Sequence, residues 1–209
     1  MSEIRPLTPA DLDEIFALSQ FAFQYELNEK ELAEKKAFAK PENMWGFFDG
    51  GRLASKIAIH PLTTYIQGKA FPMGGVASVA TWPEHRRKGM VRQLLIHGLN
   101  VMRERGQSVS FLHPFSFPYY RNFGWEHVFD YKRYTLDVHQ LPNFPSEGFV
   151  ERKSEQDVDL LNTIYDNYAV RFNGMLKRDV DWWKQSVLGK AKRTIAVYYD
   201  VQGEPKGYI

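Results

Sequence analysis

Val76-Ala77-Ser78-Val79-Ala80-Thr81-Trp82-Pro83-Glu84-His85-Arg86-Arg87-Lys88-Gly89-Met90-Val91-Arg92 is the stretch on which the reading of this chain turns. An apolar strand over residues 76–81 ends, a loop with three consecutive basic residues and a glycine follows, and a helix opens at once. That helix, over residues 92–105, is written by Val91, Leu94, Leu95, Leu99 and Met102 at helical spacing, with Gly106 as its stop. The free N–H groups of a helix N-terminus point at one spot, and the helix dipole favours an anion there. Gly89 lets the backbone come close, while Arg86, Arg87 and Lys88 add charge. The arrangement suits a diphosphate. A Walker-type loop would need Gly-Lys-Ser/Thr and a dinucleotide fingerprint three spaced glycines, and neither is present. Three adjacent charges alone would read as a solvated turn; strand, glycine and helix start in this order weigh against that.

Upstream, Thr8-Pro9-Ala10-Asp11 is a helix-start pattern, with Thr8 as N-cap, Pro9 at the first helical position and Asp11 placed to return the cap. A second short helix is predicted over residues 29–39. Residues 44–48 and 53–60 flank Asp49-Gly50-Gly51, and 63–67 and 70–73 flank Gly68-Lys69, which reads as two hairpins. Downstream of the central helix come a strand over 109–112, a short turn or helix over 118–122, and strands over 125–128 and 131–138. Residues 141–149, with two prolines and little periodicity, are a linker between a first domain, 1–140, and a second, 150–209. The second begins as the first does. Advancing residues 4–23 by 146 places pairs Thr8 with Ser154, Asp11 with Asp157, Ile15 with Leu161 and Leu18 with Ile164. Residues 195–199 and 205–209 about Asp200-Val201-Gln202-Gly203 then look like the first hairpin again. The chain therefore reads as one complete domain and the first, truncated part of a second of the same design.

Composition narrows the classes. The 209 residues are 44% hydrophobic, enough for one generous core or two modest ones. Basic and acidic residues, 27 against 25, are interspersed, without the stripe or tail of a nucleic-acid binder. There is no cysteine, so disulfides, thiolate metal sites and a cysteine nucleophile are excluded. No stretch approaches the ~18 apolar residues of a membrane span, and the first residues are unlike a signal peptide. The expectation is a cytoplasmic protein without membrane or nucleic-acid partners.

Arg86-Arg87-Lys88-Gly89-Met90-Val91 resembles the R/Q-x-x-G-x-G/A loop of the GCN5-related N-acetyltransferases, the GNAT superfamily, with Val91 departing from the usual Gly or Ala. Together with Tyr120-Arg121-Asn122-Phe123-Gly124-Trp125 it more closely resembles the enhanced-intracellular-survival (Eis) branch, whose members acetylate amines of aminoglycosides and other substrates. The resemblance implies an α/β (α+β) acyl-CoA acyltransferase fold: a mixed, mostly antiparallel sheet, helices on both faces, and the cofactor arm between splayed strands 76–81 and 109–112. It further implies acetyl-CoA as cosubstrate, direct transfer without a metal, and, in the full-length protein, a homo-oligomer, hexameric in related proteins. By the same resemblance the backbone of Val79, Ala80 and Thr81 pairs with the pantetheine arm, and Arg87, Lys88, Gly89, Met90, Val91 and Arg92 hold the pyrophosphate. Phe115 and Ser116 lie beside the pantetheine end. Tyr120 is the general acid, a phenol of pKa ~10 that stays protonated at neutral pH and can give a proton to the departing thiolate.

Tyr119 competes with Tyr120 for that role; the spacing to Phe123-Gly124 favours Tyr120. The general base that the branch takes from its terminal carboxylate has no counterpart before Ile209. Local candidates are Glu26 and His113, while Phe23 and Glu26 are expected to line the substrate mouth. The acceptor is read as a small-molecule primary amine, aminoglycoside-like. A protein lysine or N-terminus, or a catalytically silent acyl-CoA-binding module, are the alternatives.

Overall fold

In the computed structural model, which describes residues 2–130, 132–142, 145, 147–189 and 194–209, Thr8 opens the first helical segment as its neighbours demand. Its amide and hydroxyl both donate to Asp11 Oδ2 at 2.8 Å, and Arg5 grips the same carboxylate with bonds of 2.7 and 2.9 Å. Pro9–Asp11 forms a 3-10 turn that leads into α1, Leu12–Phe23. A second capping box, Asn28 with Glu31, starts α2, Glu29–Phe38.

The chain divides into two compact units, residues 1–62 with 71–127, and residues 63–70 with 128–209. A first domain over residues 1–140 was the expectation from sequence. The first unit carries a five-stranded sheet in the order β1 (Glu3–Pro6), β2 (Met44–Asp49), β3 (Arg52–Ile66), β4 (Lys69–Thr81) and β5 (Val109–Leu112). β1 and β3 flank β2 antiparallel, whereas β5 lies parallel to β4. That parallel pair requires a crossover, and α3, Met90–Glu104, supplies it. The β2–β3 turn holds Gly50 at φ 59° and Gly51 at φ 80°, the pair of positive angles a tight hairpin needs.

Helices cover both faces. Leu94, Leu95 and Met102 of α3 pack on one face with Trp45, Ile57, Ile59 and Val76. On the other, Ile15 and Leu18 of α1 close over Leu7, Phe48, Leu53 and Ala80. This is the mixed sheet, mostly antiparallel and sandwiched by helices, that was expected.

Several details differ from the sequence reading. β3 and β4 are each continuous where two shorter strands were expected, because Pro61 and the Gly74-Gly75 pair sit inside extended chain without ending it. β1 was not anticipated; with four residues and a proline it has no period of its own and exists by pairing with β2. In α3, Leu99 is exposed and Gly98 faces the sheet, so close that a Cβ there would stand 2.9 Å from Ile59 Cδ1. The strands expected over 125–128 and 131–138 are absent among the described residues, where Tyr134, Leu136 and Val138 are exposed. Their alternation is genuine, but nothing described covers it. Tyr131, and Asn143, Phe144 and Ser146 of the expected linker, lie outside the described residues.

The second unit is built about β6 (Phe149–Lys153), β7 (Ile195–Tyr199) and β8 (Pro205–Tyr208), an antiparallel sheet in that order. Its 3-10 turn, Glu155–Asp157, and α5, Val158–Ala169, stand 146 residues after the turn and helix of the first unit, and Ser154 with Asp157 repeats the capping box. Within this unit residues 63–65 pair with 174–177, the Tyr65 amide donating to the Met175 carbonyl and the Gly174 amide to the Tyr65 carbonyl, both at 2.8 Å. Trp183, fully buried among Leu161, Tyr165 and Val197, donates its indole N–H to Asn162 Oδ1 at 2.7 Å. Among the described residues no helix is long and apolar enough to cross a membrane.

Candidate active site

β4 and β5 keep parallel register from Met73 opposite Val109 to Val76 opposite Leu112. β5 then ends, while β4 runs on to Thr81. Among the described residues, 77–81 therefore have no strand partner on the β5 side. Backbone amides and carbonyls left open in this way can pair with an extended ligand as they would with a strand. The end of β4 is held from β3: the Trp82 amide donates to the Ala54 carbonyl at 3.1 Å, and the Ser55 hydroxyl donates to the Ala80 carbonyl at 2.9 Å and lies 2.8 Å from Thr81 Oγ1.

Beyond Thr81 the chain makes a 3-10 turn, Pro83–His85, then the basic loop, then α3. Gly89 is the N-cap of α3 at φ 76°, and no side chain caps that end. A Cβ at Gly89 would meet nothing within 4 Å, so the requirement for glycine is one of backbone angle rather than space. Arg87 also has positive φ, 62°. Among the described residues Arg86, Arg87, Lys88 and Arg92 form no ion pair. The open amides of the first α3 turn, with the unpaired Arg86, Arg87 and Arg92 around one cavity, are an arrangement chemically suited to an anion.

A cavity of about 610 Å³ lies at this point. Thr81, Arg87, Gly89, Met90, Val91 and Arg92, all predicted contacts, line it, joined by His85, Arg86, Tyr119, Asn122 and Phe123. Lys88 faces elsewhere, into a second cavity of about 560 Å³ beside Glu3 and Asp49. His85 was read as loop surface, yet it lines the larger cavity with its Nδ1 3.6 Å from Asp49 Oδ2.

α4, Phe117–Arg121, follows β5 and is capped by Ser116, whose hydroxyl accepts from the Tyr119 amide. Both tyrosines thereby stand on a short helix next to the parted strands. Tyr120 is 4% exposed and belongs to the α3-side core, its ring edge-on to Phe115, Tyr119 and Trp125. Tyr119 is less buried and lines the cavity. Burial raises the pKa of both phenols, and for Tyr120 the neighbouring Tyr119 adds to it. Both remain protonated at neutral pH, as a general acid must. Phe115, exposed, packs against both rings. Phe23, at the end of α1, and Glu26 are exposed and line neither cavity. His113 is exposed.

Lys56 is not among the residues expected at the site. It lies in β3 at 1% exposure, with its ammonium donating to the Ser78 carbonyl at 3.3 Å and to the Ser78 hydroxyl. Burial lowers its pKa to about 8. One charged residue inside the run Leu53-Ala54-Ser55-Lys56-Ile57-Ala58-Ile59 was the signal available.

The site thus combines a mixed sheet whose β4 extends past β5 with an uncapped helix N-terminus beside it. The family profile described as Acetyltransferase (GNAT) domain matches residues 3–128, more than half of the chain, and the chain belongs to the GNAT acetyltransferase family. An uncharacterized N-acetyltransferase of Streptomyces avermitilis is 25% identical across 99% of this chain and 54% of its own length, and one of Streptomyces griseus is 26% identical across 88% and 47%. The chain thus spans about half the length of the curated relatives it matches. A probable N-acyltransferase from Enterococcus faecalis superposes on the whole chain at a TM-score of 0.88, with 24% identity and 54% of its length covered. Eis1 from Mycobacterium abscessus does so at 0.69, with 21% identity and 52% covered.

Proposed function

We propose that this chain carries the acetyl-CoA site of an Eis-like N-acetyltransferase that moves acetyl directly to a primary amine of a small, aminoglycoside-like molecule. The observation that carries the reading is the parting of β4 from β5 directly above the uncapped, cationic N-terminus of α3. The pyrophosphate of acetyl-CoA would sit on the first α3 turn with Arg87 and Arg92, and the pantetheine arm would pair with the backbone of residues 79–81. The neutral acceptor amine would attack the thioester carbon and a backbone N–H of that segment would meet the oxyanion; as the C–S bond breaks Tyr120 would protonate the thiolate, the proton lost by the new amide nitrogen passing to water and Tyr120 being reprotonated from solvent. Phe115 and Ser116 would flank the reacting end, and Phe23 and Glu26 the acceptor. The Eis-like assignment rests on the Tyr120-Arg121-Asn122-Phe123-Gly124-Trp125 motif following the basic loop. The repeated turn, helix and antiparallel strands favour a GNAT-like design for the second unit.

Thiol release from acetyl-CoA, measured with an aminoglycoside and with a lysine peptide, tests the acceptor. Release with the aminoglycoside alone is expected; release with the peptide alone would move the reading to a protein substrate. Tyr120→Phe should lower turnover by ~10²-fold with acetyl-CoA affinity nearly unchanged. Loss in Tyr119→Phe instead would transfer the acid role to the tyrosine that lines the cavity.

A further inference from the structure

Lys56 is out of place by packing alone. Its neighbours in β3, Ile57 and Ile59, are buried core, and among the described residues no carboxylate pairs with its ammonium. An interior ammonium without a counter-charge is unfavourable, and an apolar side chain of similar length would fill the space without that penalty. What the ammonium holds is Ser78, through both the carbonyl and the hydroxyl.

Ser78 is where β4 stops being a regular strand. Its φ of 54° is in the left-handed region, which a residue with a Cβ enters at a penalty. The side-chain alternation records the consequence. Val76 and Val79 both pack on the α3-side core, although residues three apart in a regular strand face opposite ways, and Ala80 packs on the α1 side. The backbone is bulged at Ser78, two residues past the last pairing with β5, and the bulge re-aims the amides that follow.

We propose that Lys56 is a positioning residue that clamps the Ser78 bulge and so holds residues 79–81 in the conformation that receives the acetyl-bearing arm of the cofactor. The inference rests on the acetyl-CoA reading above. It assigns Lys56 no contact with the reacting atoms; it acts through the strand backbone.

The clamp separates two parts of one ligand. Adenosine 3′,5′-diphosphate reads the basic loop and α3 alone, whereas acetyl-CoA also reads residues 79–81. Calorimetric affinities for both are compared in the wild type, Lys56→Met, Ser78→Gly and the double variant. In Lys56→Met the affinity for the diphosphate should stay within ~2-fold, while that for acetyl-CoA falls by ~10-fold, the scale of one or two lost hydrogen bonds. Glycine adopts positive φ without support, so Ser78→Gly in the Lys56→Met background should restore acetyl-CoA affinity to that of Ser78→Gly alone. Should Lys56→Met not fold, Ser78→Ala keeps the lysine, removes one of its two acceptors, and should weaken acetyl-CoA binding by ~3-fold without touching the diphosphate. Equal acetyl-CoA affinity in Lys56→Met and wild type, a loss that Ser78→Gly does not rescue, or, where only Ser78→Ala folds, an unchanged affinity for that variant, would overturn the clamp alone. Failure of the wild type to bind acetyl-CoA would overturn the underlying reading and the clamp with it.

Discussion

Lys56 and Asp11 are buried charges with opposite consequences for stability. Burial lowers the Lys56 pKa from 10.5 to about 8, so between those values the unfolded chain holds a proton that the folded chain has released. Stability contributed by this group therefore rises with pH through that window, and is lowest below pH 8, where the folded state must bear the ammonium; the full difference is about 3 kcal/mol. Thermal unfolding of wild type and Lys56→Met between pH 7 and 10.5 should show this increment in the wild type only. Parallel curves would mean that the amine is hydrated in solution. Asp11 runs the other way. The Arg5 guanidinium, then the Thr8 hydroxyl and amide, hold its carboxyl well below the usual range despite burial. Its contribution is present above the ordinary carboxylate pKa and is lost as pH falls toward the depressed value. Asp11→Asn should destabilise by ~1–3 kcal/mol at pH 7 and by less at pH 3, read from denaturant unfolding. The capping box was legible in the order Thr8-Pro9-Ala10-Asp11; the part played by Arg5 was not, because it comes from β1, a strand without a sequence signal of its own.

The element to which the proposed cofactor site assigns binding is the loop from Thr81 to the first turn of α3. Arg87→Ala and Arg92→Ala should each weaken CoA binding by ~3- to 10-fold at low ionic strength, with the difference shrinking as salt rises, since the contacts are charge-assisted and reach water. Lys88→Ala should matter less, because Lys88 lines the other cavity. Equal losses at all three positions would show that net charge, rather than placement, governs the site. This loop was readable from sequence because each of its parts is local: an apolar run, adjacent cations, a glycine at positive φ, and a helical period. The Ser78 bulge and its lysine were not. A bulge leaves no mark in the order of residues, and Lys56 meets Ser78 only after a long hairpin brings positions 22 apart together. The strands expected over 125–128 and 131–138 are not formed among the described residues for the converse reason: alternation alone makes no strand where no described backbone is there to pair.

At the scale of the molecule, each unit has its own core, and the second is organised about Trp183. Trp183→Ala should lower stability by ~3–5 kcal/mol, because it empties a fully buried site and strands Asn162, and chemical denaturation followed by circular dichroism would measure it. A loss under 1 kcal/mol would mean that this core is loosely packed. The matched turns and helices of the two units, each behind its capping box, were foreshadowed by pairing Thr8 with Ser154 and Asp11 with Asp157. The parted strands and the α3 N-terminus are proposed to form one cofactor site. Calorimetric titration of the protein with CoA and with acetyl-CoA tests that most directly. Saturable binding of both near one equivalent per chain, weakened by salt, is the expected result; no heat from either ligand at concentrations up to ~1 mM, the upper range for enzyme substrates, would contradict it.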